Sequence, residues 1–380
     1  MRATVAKIHI KNFEHNINLI KNHIKKGTKI CIPVKAEGYG HGSIKIAQIA
    51  QKNAIDYLAV ATIDEAVLLR KNQITLPILL LSIPQISEIS NLIKMNLEPL
   101  VFSEQYILAL QNECKKQNIN VKVHLKIDTG MGRIGCSVEN CVEIAQIISN
   151  CSNLVLQGIC THFPVSDSII PEDVDFTKKQ IKIFSNCVEK IRSSGINPGI
   201  IHAANSGCVL AYPESNFSMV RPGIIVYGFP PDMPQYEQIL NEKKLNDKLK
   251  PVMELETCVS AILPHKKGDT ISYGRTYILT EDADIAVLPI GYADGLLRRF
   301  SPGLKVKING KIFDQVGRIC MDQCMINLKK NSGVKVDDRV TIFSDGIDFI
   351  SANDIALRTN TISYEILCGI SKRVPRIYIE

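Results

Sequence analysis

The first two-thirds of the chain alternate short apolar runs with longer amphipathic stretches, and this alternation constrains the fold most. Each run has the length of a buried strand, and the stretches between have the period of a helix. Eight such units over about 230 residues predict a (β/α)8 barrel. A doubly wound open sheet is the alternative, because the pattern does not tell whether the sheet closes. The runs are "KICIPVK", "YLAVA", "PILLLS", "PLVFS", "VKVHLKIDT", "VLQGICTH", "IIHAANS" and "SMVRPG".

The pattern of apolar and polar residues changes near residue 237. The segment 236–251, "YEQILNEKKLNDKLKP", is polar and Lys-rich, as is typical of a linker. Strand patterns follow it, and Asn309-Gly310 between two of them predicts a tight hairpin. We therefore expect an α/β barrel in residues 1–240 and a mostly β domain in residues 241–380. The first 10 or so residues are expected to pack on the β domain.

Composition excludes several classes of partner. The net charge of +7 is spread along the chain without a basic block, which argues against nucleic acid. No segment approaches the roughly 20 apolar residues of a membrane helix, and the N-terminus lacks the apolar core of a signal peptide. The 12 cysteines are scattered, and Cys320 and Cys324 lack zinc-site partners. We expect no metal site and a cytoplasmic protein with reduced thiols.

Polar residues follow the predicted barrel strands at one rim. In barrels of this type the functional groups cluster on the loops at the carboxyl ends of the strands. The residues placed there, in chain order, are Lys35, Arg133, His162, Asn205, Ser206 and Arg221.

Lys35 ends the first predicted strand and precedes a glycine-rich turn. A lysine desolvated at a strand end loses part of its preference for the charged form, so its amine can form a Schiff base with a carbonyl. Gly38, Gly40 and Gly42 allow a flat group to approach the backbone, and Tyr39 offers a hydroxyl to an anion. The structural alternative is a solvent-directed lysine beside an ordinary turn.

The segments "NSG" and "RPGI", after strands seven and eight, present a hydroxyl and backbone N–H groups where barrels hold phosphate. A Schiff-base lysine and a phosphate cradle on one rim predict pyridoxal phosphate. A guanidinium from Arg221 against the pyridine nitrogen would leave that nitrogen unprotonated and weaken the ring as an electron sink. The alternative for Arg221 is a structural ion pair at a strand end.

The β domain has its own candidate residues. Tyr273 stands in "ISYGRTY", in a context that predicts a strand, and Tyr292 and Asp294 stand in "PIGYADGL". Met321 and Asp322 stand in "RICMDQC". Each of them taken alone is compatible with a structural role, because a buried tyrosine commonly serves packing and one hydrogen bond.

Nine motifs across the whole chain resemble, in order and spacing, those of bacterial alanine racemases. That family has a pyridoxal-phosphate-binding (β/α)8 barrel followed by a β domain, in agreement with the pattern above. One departure is Glu37-Gly38, where the family usually has Asn or Asp followed by Ala. The motifs are "VKAEGYGHG", "HLKIDTGMGRIG", "THF", "HAANS", "VRPGI", "SYGRTY", "GYADG", "GRICMDQ" and "TISYEI".

The resemblance implies two catalytic bases on opposite faces of a planar adduct. Lys35 would hold pyridoxal phosphate and handle the proton on the D side. Tyr273 would handle the proton on the L side and would reach the site from the partner subunit of a homodimer with shared sites. The implied reaction is the interconversion of L-alanine and D-alanine, which supplies D-alanine for peptidoglycan.

The resemblance also implies binding roles. Arg221 matches an arginine that contacts the pyridine nitrogen, and His162 matches a histidine that hydrogen-bonds this arginine. Arg133 matches a position near the cofactor's phenolic oxygen and the substrate carboxylate. Lys126 matches a lysine that is often carbamylated, a modification that would help to position Arg133. The phosphate-binding positions are Tyr39, Ser206, Gly223, Ile224 and Tyr364.

Two further implied roles fall in the β domain, where Met321 would contact the substrate carboxylate through its backbone N–H and Tyr292 would stand at the entrance.

Three other functions stay open: racemisation of another small amino acid such as serine, another reaction of pyridoxal phosphate such as decarboxylation, and non-catalytic binding of pyridoxal phosphate. Arg221 argues against decarboxylation, because it limits the electron sink. The second domain argues against a pure binding protein.

Overall fold

The structure is a computed structural model that describes residues 2–231, 249–344 and 350–380. After a first strand, β1 (Val5–His9), eight parallel strands close into a barrel, which confirms the barrel and excludes the open sheet. Closure is made by the pairing of β2 with β9, with Lys29 opposite Met219 and Ile30 opposite Val220. The barrel strands are β2 (Lys29–Pro33), β3 (Tyr57–Val60), β4 (Ile78–Leu80), β5 (Leu97–Val101), β6 (Val121–Lys126), β7 (Leu154–Cys160), β8 (Ile200–His202) and β9 (Met219–Val220).

Helices connect these strands and cover the barrel. The Thr62 side chain accepts from the backbone N–H of Glu65 in a capping box, and Ser103 caps the helix that follows it. The helices are Ile10–His23, Ser43–Lys52, Ile63–Lys71, Ile89–Lys94, Glu104–Gln117, Cys141–Asn150, Pro171–Ser193 and Ser206–Ala211, with Ala352–Arg358 and Ser363–Gly369 after the barrel.

A nine-stranded sheet contains β1, which pairs antiparallel with β10 and parallel with β19. The predicted hairpin at Asn309-Gly310 joins β15 to β16. The apolar pattern of residues 252–262, "VMELETCVSAI", predicts one strand, but this segment contains one strand and the start of a second. The strands after the barrel are β10 (Met253–Cys258), β11 (Ala261–His265), β12 (Thr270–Ile271), β13 (Tyr277–Ile278), β14 (Ala283–Leu288), β15 (Lys305–Ile308), β16 (Lys311–Val316), β17 (Cys324–Asn327), β18 (Arg339–Phe343) and β19 (Arg376–Ile379).

The last helix of the chain, Ser363–Gly369, packs on the turn after β2. A Cβ added at Gly40 would lie 2.2 Å from the carbonyl oxygen of Leu367, so only glycine permits this approach. The Arg376 Nε–H donates to the Gly40 carbonyl at 2.9 Å. The C-terminal segment thereby packs against the turn and stabilises it, and it places Tyr364 at the carboxyl edge of the barrel.

Two further observations concern the chain as a whole. The expected domain boundary at residues 240 and 241, and most of the expected linker, lie outside the described residues. Among the helices of the described ranges, none combines the length and apolar character needed to cross a membrane.

Candidate active site

A cavity of about 720 Å³ opens at the carboxyl edge of the barrel. Its wall brings together most of the residues that the sequence placed on this rim. These are Lys35, Tyr39, Lys126, Arg133, His162, Asn205, Ser206, Arg221, Gly223 and Tyr364.

The turn that follows Lys35 is left-handed over four successive residues. Ala36, Glu37, Gly38 and Tyr39 have φ of 50°, 56°, 62° and 53°. Such a conformation costs non-glycine residues about 1–2 kcal/mol each, so the surrounding contacts must hold it. The Glu65 carboxylate accepts from the Ala36 N–H at 2.7 Å, and the Gly40 N–H bonds back to the Ala36 carbonyl at 2.9 Å.

His41 supports the same turn from within the protein. Its Nδ1–H donates to the carbonyls of Gly38 at 3.0 Å and Tyr39 at 2.9 Å. Burial lowers the pKa of His41 to about 3, so the ring is neutral. The turn therefore depends on a neutral imidazole whose proton is on Nδ1.

The Lys35 amine faces the cavity just after β2. Burial is the main cause that lowers its pKa below the ordinary value of 10.5, and the Arg133 charge lowers it further. Glu65 and Cys368 act in the opposite direction. The amine is thus closer to its nucleophilic neutral form than a surface lysine is.

Tyr39 lies on the floor of the cavity, with its ring stacked on Tyr227 at 4.8 Å between centroids and 23° between planes. Burial raises the pKa of Tyr39 well above its ordinary value, so the phenol stays protonated and can donate. The ring of Tyr364 lies 5.9 Å from that of Tyr39. Two tyrosines from distant parts of the chain therefore share one wall.

Ser206 and Gly223 form a small cradle beside Tyr39. The Gly223 N–H donates to Ser206 Oγ at 2.9 Å. A Cβ at Gly223 would lie 3.0 Å from the Tyr39 hydroxyl and would fill the cradle. Ile224, predicted with them, is fully buried with its side chain in the core, so only its backbone can face a ligand.

Asn205 lines the cavity, but its amide already has protein partners. Its Oδ1 accepts from the Cys208 N–H at 3.0 Å as the cap of Ser206–Ala211, and from the Ser166 hydroxyl at 2.8 Å. Its Nδ2 donates to the Phe163 carbonyl at 3.2 Å. The side chain orients the helix start that carries Ser206; its predicted contact with a cofactor stays a prediction.

Arg221 is buried and held by four contacts. Its Nη1 donates to His202 Nδ1 at 2.7 Å, and its Nη2 to the carbonyls of Thr161 at 2.8 Å and Ala203 at 3.0 Å. The contact from Nη2 to the predicted partner, His162, is longer, at 3.4 Å. The Nε–H takes part in none of these contacts. The nearer histidine partner of Arg221 is therefore His202.

The loop that carries Arg133 is shaped by Asp128. The Asp128 carboxylate accepts from the N–H groups of Gly130, Met131 and Gly132 at 2.8 to 3.2 Å. Partial burial raises the pKa of Asp128, but these bonds outweigh it and lower the pKa below the ordinary value. The loop places Arg133 at the cavity.

Lys126 lies deeper on the same side of the cavity. Its Nζ donates to the Ile127 carbonyl at 2.9 Å, and burial is the main cause that lowers its pKa. A lysine with a lowered pKa has more of the neutral amine that carbamylation requires.

Three predicted residues of the β domain, Tyr273, Tyr292 and Met321, lie outside the cavity wall of their own chain. Tyr273 is 68% exposed, and Met321 and Tyr292 are exposed as well. Tyr273 lies in a short turn, not in a strand, because Ser272 before it has φ 66° and Gly274 after it φ 72°. The buried Asp294 pairs with Arg2 and Arg373, and the exposed Asp322 pairs with Arg373, which favours a structural role for both.

The loops that carry these exposed residues are joined by hydrogen bonds. The Tyr292 N–H donates to the Cys320 carbonyl and the Ala293 N–H to the Met321 carbonyl, both at 3.0 Å. The Ser272 hydroxyl donates to the Arg318 carbonyl at 2.6 Å. Tyr273, Tyr292 and Met321 therefore belong to one connected surface.

Sequence reasoning missed four residues of the site. Glu65 and Cys368 line the cavity, and His124 and His202 stand behind Arg221. His124 and His202 were visible in the strand patterns "VKVHLKIDT" and "IIHAANS", but the strands' pairing was needed to show that they face each other. Glu65 was missed because its position at the start of a helix pattern already explains it as a capping residue.

The fold and the site define a class: enzymes built on a (β/α)8 barrel with a β domain, in which lysine amines of lowered pKa stand at the barrel's carboxyl edge. Residues 8–231 match the family "Alanine racemase, N-terminal domain" and residues 252–378 match "Alanine racemase, C-terminal domain". The chain belongs to the alanine racemase family, which is a family of isomerases.

Individual proteins are similar over their full length. The alanine racemase of Treponema denticola is 48% identical over 100% of this chain and 99% of its own. That of Treponema pallidum subsp. pallidum is 41% identical over 100% of both chains. The solved alanine racemase of Clostridium difficile 630 is 37% identical, with a TM-score of 0.91 over 100% of this chain and 96% of that chain.

Proposed function

We propose that this protein interconverts L-alanine and D-alanine with pyridoxal phosphate as its cofactor. The proposal rests on the position of the Lys35 amine, whose pKa is lowered by burial. It lies at the wall of a cavity that is also lined by the hydroxyl cradle of Ser206 and by the buried guanidinium of Arg221. These groups match the aldehyde, the phosphate and the ring nitrogen of that cofactor.

The cavity fits pyridoxal phosphate chemically. Gly223 leaves a cradle that one methyl group would fill, and the Ser206 hydroxyl and Tyr39 phenol both border it. Tyr364 stands beside Tyr39, and the backbone of Ile224 follows Gly223. We assign these groups to the phosphate, because hydroxyls and backbone N–H groups are its usual donors. Asn205 acts behind them by capping the helix of Ser206.

When bound, the cofactor supplies a ring system that withdraws electrons and so acidifies the Cα–H of the amino acid. The Lys35 amine, which would hold the cofactor, would also take or give the Cα proton on one face, the D side. The phenol of Tyr273 does the same on the opposite face, the L side. One turnover exchanges the protonation states of the two groups, and exchange of these protons with solvent would reset them before the next turnover in either direction.

Arg221 restrains the chemistry to racemisation. A guanidinium can only donate, so a ring nitrogen that faces it accepts a hydrogen bond and stays unprotonated. The ring is then a weaker electron sink, which disfavours decarboxylation and transamination. His162, whose pKa is held well below its ordinary value mainly by burial, is neutral and can accept from Arg221.

The substrate's carboxylate needs cationic or N–H partners. We assign it to Arg133, held at the cavity by the Asp128 loop, and to the Met321 backbone N–H of the partner subunit. Carbamylated Lys126 would present an anion to Arg133 and fix its guanidinium. The partner subunit's Tyr292 stands at the entrance in this arrangement.

The connected surface of Tyr273, Tyr292 and Met321 supports a homodimer with shared active sites. Tyr273 is 68% exposed in one chain, and it could reach an active site if a second copy of the chain packed over it. Two copies related by a twofold axis would each give these residues to the other's cavity. We further propose that the dimer works in the cytoplasm and supplies D-alanine for peptidoglycan.

The proposal is tested by chiral analysis of L-alanine incubated with purified holoenzyme. We expect D-alanine to accumulate to a near-equal mixture with the wild type. Lys35→Ala abolishes the conversion, and Tyr273→Phe slows the turnover of L-alanine more than that of D-alanine. Near-normal rates in both variants contradict the assignment. L-serine in a parallel incubation measures how far the cavity accepts a larger side chain.

A further inference from the structure

A line of buried polar residues runs through the interior of the barrel to Arg221. His202 Nε2 and His124 Nδ1 are 2.9 Å apart, and His124 Nε2 is 2.9 Å from Glu98 Oε2. With the 2.7 Å bond from Arg221 to His202 Nδ1, the line joins a guanidinium to a carboxylate through two imidazoles. Both rings are fully buried, and Glu98 is 5% exposed.

The two ends of this line determine the position of every proton within it. Arg221 can only donate, so His202 Nδ1 must accept and the His202 proton is on Nε2. His124 Nδ1 must then accept from His202, which places the His124 proton on Nε2. That proton points at Glu98, whose carboxylate can only accept. All three hydrogen bonds therefore run in one direction, from Arg221 to Glu98.

We infer that Glu98 and His124 are positioning residues of the reaction, which act through His202 to hold the guanidinium of Arg221 in place. The inference rests on the proposed function, because Arg221 matters to the reaction only as the partner of the cofactor ring. Glu98 is the distal end of the line, on the β5 strand, three hydrogen bonds away from Arg221.

Two other side chains, those of Lys122 and Tyr57, also lie near the Glu98 carboxylate. Its second oxygen is 3.9 Å from Lys122, whose side chain is half exposed, and such a pair contributes little. The Tyr57 phenol also contacts Glu98, and burial raises the pKa of Tyr57, so the phenol remains a neutral donor. A carboxylate buried among strands is costly unless hydrogen bonds compensate it, and His124 supplies one of these bonds, at 2.9 Å.

Removal of the acceptor at position 98 would propagate to Arg221. With Leu at this position the His124 Nε2–H would lose its acceptor in a dry interior, so the ring would gain by moving its proton to Nδ1. That proton would point at His202 Nε2, so the His202 proton would move to Nδ1. Nδ1 could then no longer accept a hydrogen bond from the Arg221 guanidinium. Gln at position 98 can still accept through its amide oxygen and preserves the order.

The direct test is a long-range ¹H–¹⁵N NMR spectrum of the holoenzyme labelled with [¹⁵N]histidine. Protonated and unprotonated ring nitrogens resonate far apart, and His124→Gln and His202→Gln assign the signals. We expect both rings neutral with the proton on Nε2. A wild-type spectrum with the proton of either ring on Nδ1, or with either ring charged, overturns the inference whatever the enzyme's activity. Failure of racemisation with the expected spectrum counts only against the proposed function.

Kinetics give the second readout. In Glu98→Leu we expect the proton positions of both rings to change and kcat to fall about tenfold, with KM changed less than about threefold, as is typical of groups that orient a reacting partner. Glu98→Gln stays within about threefold of wild type. Glu256→Gln, a matched change at a buried carboxylate of the other sheet, alters neither readout. Unchanged kcat and unchanged spectra in Glu98→Leu contradict the inference.

Discussion

The Gly223 N–H donates to the Ser206 hydroxyl at 2.9 Å, and this bond joins the loops that follow β8 and β9 at the centre of the cavity wall. Gly223 has a negative φ of −94°, so it is not a left-handed turn residue, and the space beside its Cα is the feature that a side chain would remove. A Cβ here would stand 3.0 Å from the Tyr39 hydroxyl, in the place that we assign to phosphate.

Gly223→Ala is therefore expected to weaken the binding of pyridoxal phosphate. The added methyl group displaces the phosphate from at least one donor, which corresponds to about 1.5 kcal/mol and a Kd raised about tenfold. Titration of apoenzyme followed by absorbance measures it. Gly369→Ala, where a Cβ meets open space, is the matched control and should bind normally. Equal affinities in the two variants would remove Gly223 from the phosphate site.

Arg133→Gln is expected to raise the pKa of the Lys35 amine. The Arg133 charge is the second largest cause, after burial, that lowers this pKa below 10.5. The neutral amine forms the Schiff base, so the capture of pyridoxal phosphate by apoenzyme accelerates as pH rises through the pKa of Lys35. In the variant the rise should occur at higher pH. Arg192→Gln, at an exposed arginine paired with Glu189, should leave the profile unchanged.

His41 predicts a loss of stability in mild acid. Its pKa is about 3 in the folded protein and about 6.5 when unfolded, so between these values the unfolded state binds more protons. The free energy of unfolding therefore falls as pH is lowered, by about 2 kcal/mol from this group between pH 7 and pH 5.

Urea unfolding at one protein concentration measures the effect of His41. His41→Gln, whose amide can still donate to the turn, should lose about 2 kcal/mol less than wild type over this range. His265→Gln, at a partly exposed histidine beside Asp269, should lose as much as wild type. A wild-type slope that both variants retain would place the acid sensitivity elsewhere.

The barrel was predictable because a strand buried on both faces leaves a continuous apolar run, and eight such runs have few other solutions. The rim residues followed from the rule that parallel strands end at one edge. Closure was not predictable, since the pairing of Lys29 with Met219 joins segments almost 200 residues apart, and local patterns contain no information about that contact.

The finer features of the site escaped prediction for physical reasons. A left-handed turn through Ala36, Glu37 and Tyr39 contradicts the intrinsic preference of these residues and exists only because tertiary contacts hold it. A glutamate at the start of a strand, such as Glu98, is usually exposed. Only the closed barrel shows that its side chain points inward, to His124. The role that we propose for Tyr273 involves a second copy of the chain, and no hydrophobic pattern within one chain indicates such a contact.

The central claim is that Lys35 of one subunit and Tyr273 of the other work on the same substrate. Its most direct test is the activity of Lys35→Ala mixed with Tyr273→Phe after exchange of subunits. Each mixed dimer would contain one site with both native groups, so random exchange restores about one quarter of the wild-type rate of racemisation. Activity no greater than the sum of the two separate variants, with mixed dimers verified by mass spectrometry, would contradict the claim.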